Sequence, residues 1–286
     1  VAESDSKMPC ISPINLNTPE GRVNVPCGRC HECKGRRRKD WQFRLYEELK
    51  IAKTSQFVTL TYTDETVPYA DTRQVILKSD LQAFMKRLRS NDRYAWKKSG
   101  KLLKNKPRIR YYACGEYGDK TLRPHYHILL FNLWDTNQIL KSWQNGNVHI
   151  GTNNVKTIAY TTKYIMKQYS ANSKDTFAPF SLMSKGIGKN YLNNNSKYHY
   201  KNEQTTVRNP DGTRQNLPRY YKDKIFKSEV KKKAISEKNR AKFNLANIRE
   251  EDRILSLGNK SIGVYQNGQI ESKIQQINKS LNSKTI

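Results

Sequence analysis

The segment Arg123-Pro124-His125-Tyr126-His127-Ile128-Leu129-Leu130-Phe131 constrains this chain more than any other. Two histidines separated by one bulky residue open an apolar run that reads as a β-strand. Side chains of a strand alternate between faces, so His125 and His127 project one way while Tyr126 and Ile128 project the other. Two imidazoles on one face near a strand end can share a metal ion. An isolated His-x-His is equally compatible with two partly exposed strand histidines, so the surrounding sequence has to decide.

Arg108 to Glu116 reads as a second strand, and Tyr117 to Pro124 returns the chain to the histidines. An antiparallel hairpin that sets Glu116 opposite His125 sets Cys114 opposite His127, with all four side chains on one face. Glu116 then joins the histidine pair, and Cys114 packs beneath it. Phe57 to Tyr62 is β-branched and aromatic, a further strand, and Val148 to Ile150 a short one. Apolar periodicity predicts helices from Trp41 to Lys53, from a cap at Ser79-Asp80 through Leu81, Phe84, Met85 and Leu88, and from about Val155 to Tyr169.

The last of these helices carries Tyr160, Lys163, Tyr164 and Lys167 at i, i+3, i+4 and i+7, one stripe of its surface. Ile158, Thr162 and Ile165 fall on another, packed face. Two phenols flanked by lysines are unexpected in a core, because lysine is rarely buried unpaired. A phenol titrates near pH ~10, so as a nucleophile it needs cationic neighbours or a metal-polarised target. A divalent ion held by Glu116, His125 and His127 would bind a phosphate oxygen as a Lewis acid, and Lys163 would stabilise the developing charge. Attack on a DNA phosphodiester would leave a phosphotyrosine and a free 3′-hydroxyl.

The charge balance supports a nucleic-acid partner: 53 Lys and Arg against 25 Asp and Glu in 286 residues, a net charge of +28. Neutralising phosphates releases counterions and drives binding irrespective of sequence. No stretch approaches the roughly 20 apolar residues needed to span a bilayer, and no charged-then-apolar leader is seen, so a membrane or secreted protein is not expected. The five cysteines, an odd number, are expected as reduced thiols or metal ligands in an intracellular protein. Cys27, Cys30 and Cys33 with Cys10 or His31 can complete a tetrahedral Zn²⁺ site. Reduced structural thiols, or an iron-sulfur cluster, are the alternatives. Arg36, Arg37, Arg38 and Lys39 are expected to contact phosphates, with Lys167. Tyr111, Tyr112 and Tyr117 are available for stacking bases, and Thr59 and Tyr62 line either a DNA groove or the core. His149 and His199 are expected to be surface or strand residues without a role.

Three segments follow: a Cys-rich element at 1–40, a central domain at 41–195 and a basic region at 196–286. The last is polar, with few core candidates and a charged helix from Lys222 to Arg253. No Gly-x-x-x-x-Gly-Lys-Ser/Thr phosphate loop appears, so unwinding of DNA is left to another protein.

Phe57 to Tyr62, the His125-Tyr126-His127 pair and the Tyr160-x-x-Lys163-Tyr164 helix, in that order, resemble motifs one to three of HUH endonucleases. Pro26-Cys27-Gly28-Arg29-Cys30-x-x-Cys33, Cys114-Gly115-Glu116-Tyr117-Gly118 and Arg123 to His127 narrow the resemblance to rolling-circle replication initiators of gokushovirus-type microviruses. It spans about Cys10 to Tyr169. The resemblance implies an α+β fold with a central antiparallel five-stranded sheet flanked by helices. It implies a Mg²⁺- or Mn²⁺-dependent nick at a single-stranded or supercoiled phage origin, and a 5′-phosphotyrosyl intermediate for later strand transfer. His125, His127 and Glu116 match the metal ligands, Tyr160 and Tyr164 the paired nucleophiles, and Lys163 the motif-three lysine. Host helicase and polymerase would be partners, in the host bacterial cytoplasm. A plasmid relaxase or transposase of the same superfamily is the first alternative. A non-catalytic zinc-containing nucleic-acid-binding protein is the second.

Overall fold

The computed structural model describes residues 10, 12–19, 21–167 and 177–256. A hairpin of β1 (Ile14–Thr18) and β2 (Gly21–Val25) precedes α1 (His31–Ile51) and β3 (Ser55–Thr61). The short strands β4 (Tyr69–Ala70) and β5 (Arg73–Gln74) lead into α2 (Lys78–Lys98). Next come β6 (Arg110–Tyr117), β7 (Pro124–Phe131), α3 (Asn137–Ser142), β8 (Val148–Thr152), α4 (Val155–Lys167) and β9 (Phe180–Met183). The chain continues through α5 (Asn190–Asn202), β10 (Thr206–Arg208), β11 (Arg214–Asn216), α6 (Arg219–Ile225) and α7 (Glu229–Ser256). It divides into two compact units: one takes in the chain to His199 together with Gln204–Lys222, the other Tyr200–Glu203 and the chain from Asp223.

The first unit is built on the expected α+β architecture, an antiparallel five-stranded sheet in the order β8-β3-β7-β6-β9. The histidine strand β7 is its centre. Its alternation divides the apolar residues between two cores. Tyr126, Ile128 and Leu130 pack with Val58, Leu60, Leu81, Phe84 and Leu88 beneath α2, and Ile139 and Trp143 join them. Leu129 and Phe131, on the other face, pack with Leu45 of α1 and Ile158 and Ile165 of α4.

Helix α1 begins at His31 rather than Trp41 and runs without a break through residue 40. Its first turns are rich in Lys and Arg, good helix formers that carry no apolar period. At the start of α2, Ser79-Asp80 does not cap: extended Leu77 is the N-cap, and Asp80 instead accepts a hydrogen bond from Tyr62 (2.7 Å). Tyr62 is buried and also bonds Tyr126, so it belongs to the core and not to a DNA groove.

Beyond Ser196 the sequence holds more core than its polarity suggests. Val207, Leu217 and Tyr221 are buried, and the Tyr221 ring lies 4.9 Å from Tyr191 and 6.0 Å from Phe43. His199 is likewise buried: Nδ1 donates to the Gln204 carbonyl (2.6 Å), so Nε2 accepts from the Tyr191 hydroxyl (2.7 Å). The single helix expected from Lys222 is broken between Ile225 and Glu229. In the second unit Ser228 starts α7, its hydroxyl accepting from Lys231 N (3.4 Å).

Asp92 of α2 ties the chain after β7 to the sheet. Fully buried, it accepts from the amides of Trp134 (2.9 Å) and Asp135 (3.1 Å) and pairs with Lys106. Asp92→Ala strands an ammonium and two amides, so stability is expected to fall by about 3–5 kcal/mol. Urea unfolding will show this as a lower midpoint at unchanged slope.

Candidate metal centre and tyrosine pair

In the β6/β7 ladder Glu116 stands opposite His125 and Cys114 opposite His127, the register the hairpin reading requires. On the other side of β7, Thr59 of β3 stands opposite His127. Glu116 Oε1 lies 3.0 Å from His125 Nε2 and 3.3 Å from His127 Nε2. Glu116 and His127 are each only 5% exposed.

The opposite edge of each imidazole is held by protein. His125 Nδ1 is 3.1 Å from the Arg123 carbonyl, which can only accept, so Nδ1 carries the proton and Nε2 presents its lone pair. Arg123 is itself anchored: its guanidinium donates to Asp64 (2.5 Å) and to the Tyr62 carbonyl (2.9 Å). His127 Nδ1 meets the Thr59 hydroxyl at 3.0 Å. The ring of Phe57 lies 14° from parallel to His127, with centroids 5.5 Å apart. Thr59 thus orients a histidine, and Arg123 and Phe57 are positioning residues the sequence reading missed. Their signal was the strand register, which places Thr59 beside His127.

Electrostatics favours the ligand forms of these groups. Burial would raise the Glu116 carboxyl, but hydrogen bonds from His125, His127 and Tyr164 outweigh it and bring it to about 2. Burial pulls His127 below its ordinary value, partly offset by its hydrogen bond with Glu116, which favours the neutral imidazole. Glu116 Oε2 is buried without a hydrogen-bond partner. One ligand atom from each of Glu116, His125 and His127 lies within 4.8 Å of the others. Two imidazole nitrogens and a carboxylate with an unsatisfied oxygen fit a divalent cation.

Gly115 explains the spacing of Cys114 and Glu116, because a Cβ there would lie 2.7 Å from Ile76 Cδ1 and 2.9 Å from the Phe180 ring. Cys114 is buried, and its thiol points at the carbonyls of His127 (3.8 Å) and Thr161 (3.9 Å), a packing role.

Helix α4 brings both tyrosines to His127. The Tyr160 hydroxyl is 3.5 Å from His127 Nε2, with ring centroids 5.2 Å apart. The Tyr164 ring stacks on the same imidazole at 5.4 Å and 13°, and the two phenol rings meet edge to face at 5.3 Å. Tyr160 is 45% exposed and Tyr164 only 7%. Burial, the hydrogen bond with Tyr160 and the charge of Glu116 push the Tyr164 phenol upward. Ile158, Thr162 and Ile165 form the packed face, and Lys163 is half-buried. Lys167 ends α4, and its side chain lies outside the described residues.

Cys10, Cys27, Cys30 and Cys33 form a second cluster, also within 4.8 Å of one another, in which Cys10 rather than His31 is the fourth member. Hydrogen bonds from the amides of Cys30 and Arg29 bring Cys27 down to about 6, while burial pushes Cys33 up to about 12. Arg36, Arg37 and Lys39 are at least partly exposed on α1, but Arg38 is half-buried with its Nε unpartnered. Tyr112 is fully buried against Trp41, and Tyr117 donates to Phe177 O (2.9 Å), so neither is an open stacking platform. Tyr111 packs partly buried on the α2 side. His149 is exposed. Among the described residues no helix is long and apolar enough to cross a membrane.

Fold and site together define a sheet protein that gathers two imidazoles, a carboxylate and two phenols on one face. The model of the replication-associated protein ORF2 family matches residues 55–169, the stretch from β3 to just past α4. Replication-associated protein VP4 of Bdellovibrio phage phiMH2K is 31% identical over 232 residues, 72% of this chain and 69% of its own. Replication-associated protein ORF2 of Spiroplasma virus 4 is 30% identical over 69% of this chain and 66% of its own. Replication-associated protein ORF4 of Chlamydia phage 1 is 22% identical over 71% and 54%. The chain belongs to this family of phage replication-associated proteins. It spans about two thirds of the first two relatives and about half of the third. The nuclease domain of minute virus of mice non-structural protein-1 covers 57% of this chain and 83% of its own at 8% identity, with a TM-score of 0.19, too low to bear on fold or function.

Proposed function

We propose that this protein is a site-specific, metal-dependent single-strand DNA endonuclease and strand transferase of the HUH type, which starts rolling-circle replication of a small phage genome. One observation carries the reading: the phenols of Tyr160 and Tyr164 converge on His127, which shares a ligand group with His125 and Glu116. A bound Mg²⁺ or Mn²⁺ ion supplies Lewis acidity at the scissile phosphate.

Glu116, His125 and His127 hold that ion, while the Arg123 carbonyl and Thr59 keep the imidazoles turned towards it. Tyr160, the exposed phenol, attacks first. Its oxygen bonds to phosphorus as the P–O3′ bond breaks, and the phenolic proton ends on the departing 3′-oxygen. The 5′-phosphotyrosyl ester retains the bond energy needed for rejoining. Tyr164, one turn further on, attacks when the completed genome junction returns. Lys163 stabilises charge on the phosphate. The basic surface, with Arg36, Arg37 and Lys39 on α1, holds single-stranded or supercoiled origin DNA through its phosphates. Host helicase and polymerase, in the bacterial cytoplasm, extend the freed 3′ end.

The test is an end-labelled origin oligonucleotide incubated with the protein and Mn²⁺, then run on a denaturing gel. A covalent protein–DNA band with a polymerase-extendable 3′-hydroxyl is expected. Strand binding without cleavage, or cleavage without an adduct, would overturn the reading.

A further inference from the structure

We propose that Cys10, Cys27, Cys30 and Cys33 hold a structural zinc ion that fastens the N-terminal hairpin to α1 and, through α1, fixes the end of the tyrosine helix. All four thiols are free, and each offers a sulfur within 4.8 Å of the other three. Tetrahedral zinc with Zn–S bonds of about 2.3 Å sets its sulfurs about 3.8 Å apart. Cys10 Sγ and Cys30 Sγ are 3.8 Å apart, whereas a disulfide would need about 2.05 Å. An all-sulfur donor set suits zinc and disfavours Mg²⁺ or Mn²⁺, so this site is chemically distinct from the histidine centre.

The surroundings are arranged for thiolate charge. Cys27 Sγ accepts from the amides of Arg29 (3.4 Å) and Cys30 (3.3 Å), and Cys10 Sγ accepts from the amide of Cys27 (3.2 Å). Cys30 is the N-cap of α1 and Cys33 lies in its first turn, where the helix dipole favours negative charge.

The hairpin needs such a fastening. Every residue of β1 is exposed, Ile14 and Leu16 included, and a lone two-stranded hairpin is marginal in water. Cys10 precedes β1 and Cys27 follows β2, so one ion closes the hairpin, while Cys30 and Cys33 bind it to α1. Lys34, next to Cys33, donates from Nζ to the Met166 carbonyl (3.4 Å) in the last turn of α4. Carbonyls there lack helical partners, and a lysine is a natural cap. The cluster therefore connects to the helix that carries Tyr160 and Tyr164.

The readouts are zinc and backbone protection, so they stand apart from the endonuclease reading. Full-length protein freed of loose metal by gel filtration in EDTA is expected to retain about one zinc per chain by mass spectrometry. The His125→Ala/His127→Ala double variant is expected to retain it too. Cys33→Ser should lose zinc and be cut faster by trypsin at the exposed Arg22 and Arg29. In wild-type protein, mercurial titration of the thiols should release the zinc and raise hydrogen exchange at the Ile165–Lys167 amides. Iron with acid-labile sulfide, mapped disulfides, or zinc retained by Cys33→Ser would overturn the site. Zinc release with no change in α4 exchange would overturn its connection to the tyrosine helix.

Discussion

Tyr160→Phe is expected to abolish the covalent protein–DNA adduct and cut first-strand nicking by at least about 10³-fold, the scale of removing a nucleophile. The phenylalanine keeps the edge contacts with Phe57 and His127 and loses only the hydroxyl, so folding should be unaffected. Tyr164→Phe is expected to leave the first adduct largely intact and to block the second transfer that rejoins the strand. The asymmetry follows from exposure: an incoming phosphodiester reaches the half-exposed Tyr160, while Tyr164 lies beneath it against His127. Single-turnover cleavage and a separate joining assay on a covalent intermediate distinguish the two steps. Adduct formation by Tyr160→Phe with none by Tyr164→Phe would reverse the roles. Full cleavage by the double variant would remove both tyrosines from the mechanism.

His127→Ala is the second large effect, because this imidazole serves both the ligand group and the tyrosine pair. Metal-dependent nicking should drop by more than about 100-fold, since losing even a hydrogen-bond partner of a metal ligand can cost that much. Non-specific DNA binding should persist with an unchanged salt slope, because phosphate contacts on the basic surface supply it. Filter binding across a salt series reads this directly. A loss of all binding at every salt concentration would mean that the central strand had misfolded, and thermal unfolding would confirm it.

The parts of the site that could be read from sequence are those encoded by local period. Alternation put His125 and His127 on one face, hairpin register brought Glu116 to them, and helical spacing put Tyr160 and Tyr164 on one stripe. Tyr112 and His199 were misread for a different reason. Their burial depends on Trp41 of α1 in one case and on Tyr191 and Gln204 in the other, and no period in their own strand or helix announces those partners. Arg123 escaped notice because its carbonyl, common to every residue type, orients His125, and its guanidinium acts by anchoring that carbonyl. The start of α1 was missed because charged residues form helix without leaving an apolar trace.

Strand β7 carries its ligands and its core residues on one continuous alternation: His125 and His127 share a face with Leu129 and Phe131, and Tyr126 shares the other with Ile128 and Leu130. A slip of one residue against β3 and β6 would turn both imidazoles into the α2 core and lift Tyr126, Ile128 and Leu130 away from it. The misregistered sheet would bury two unpartnered histidines at the moment it lost its packing. Such a chain proofreads its own active site as it folds. Molecules that reach a stable sheet are the molecules whose ligands already face the tyrosines.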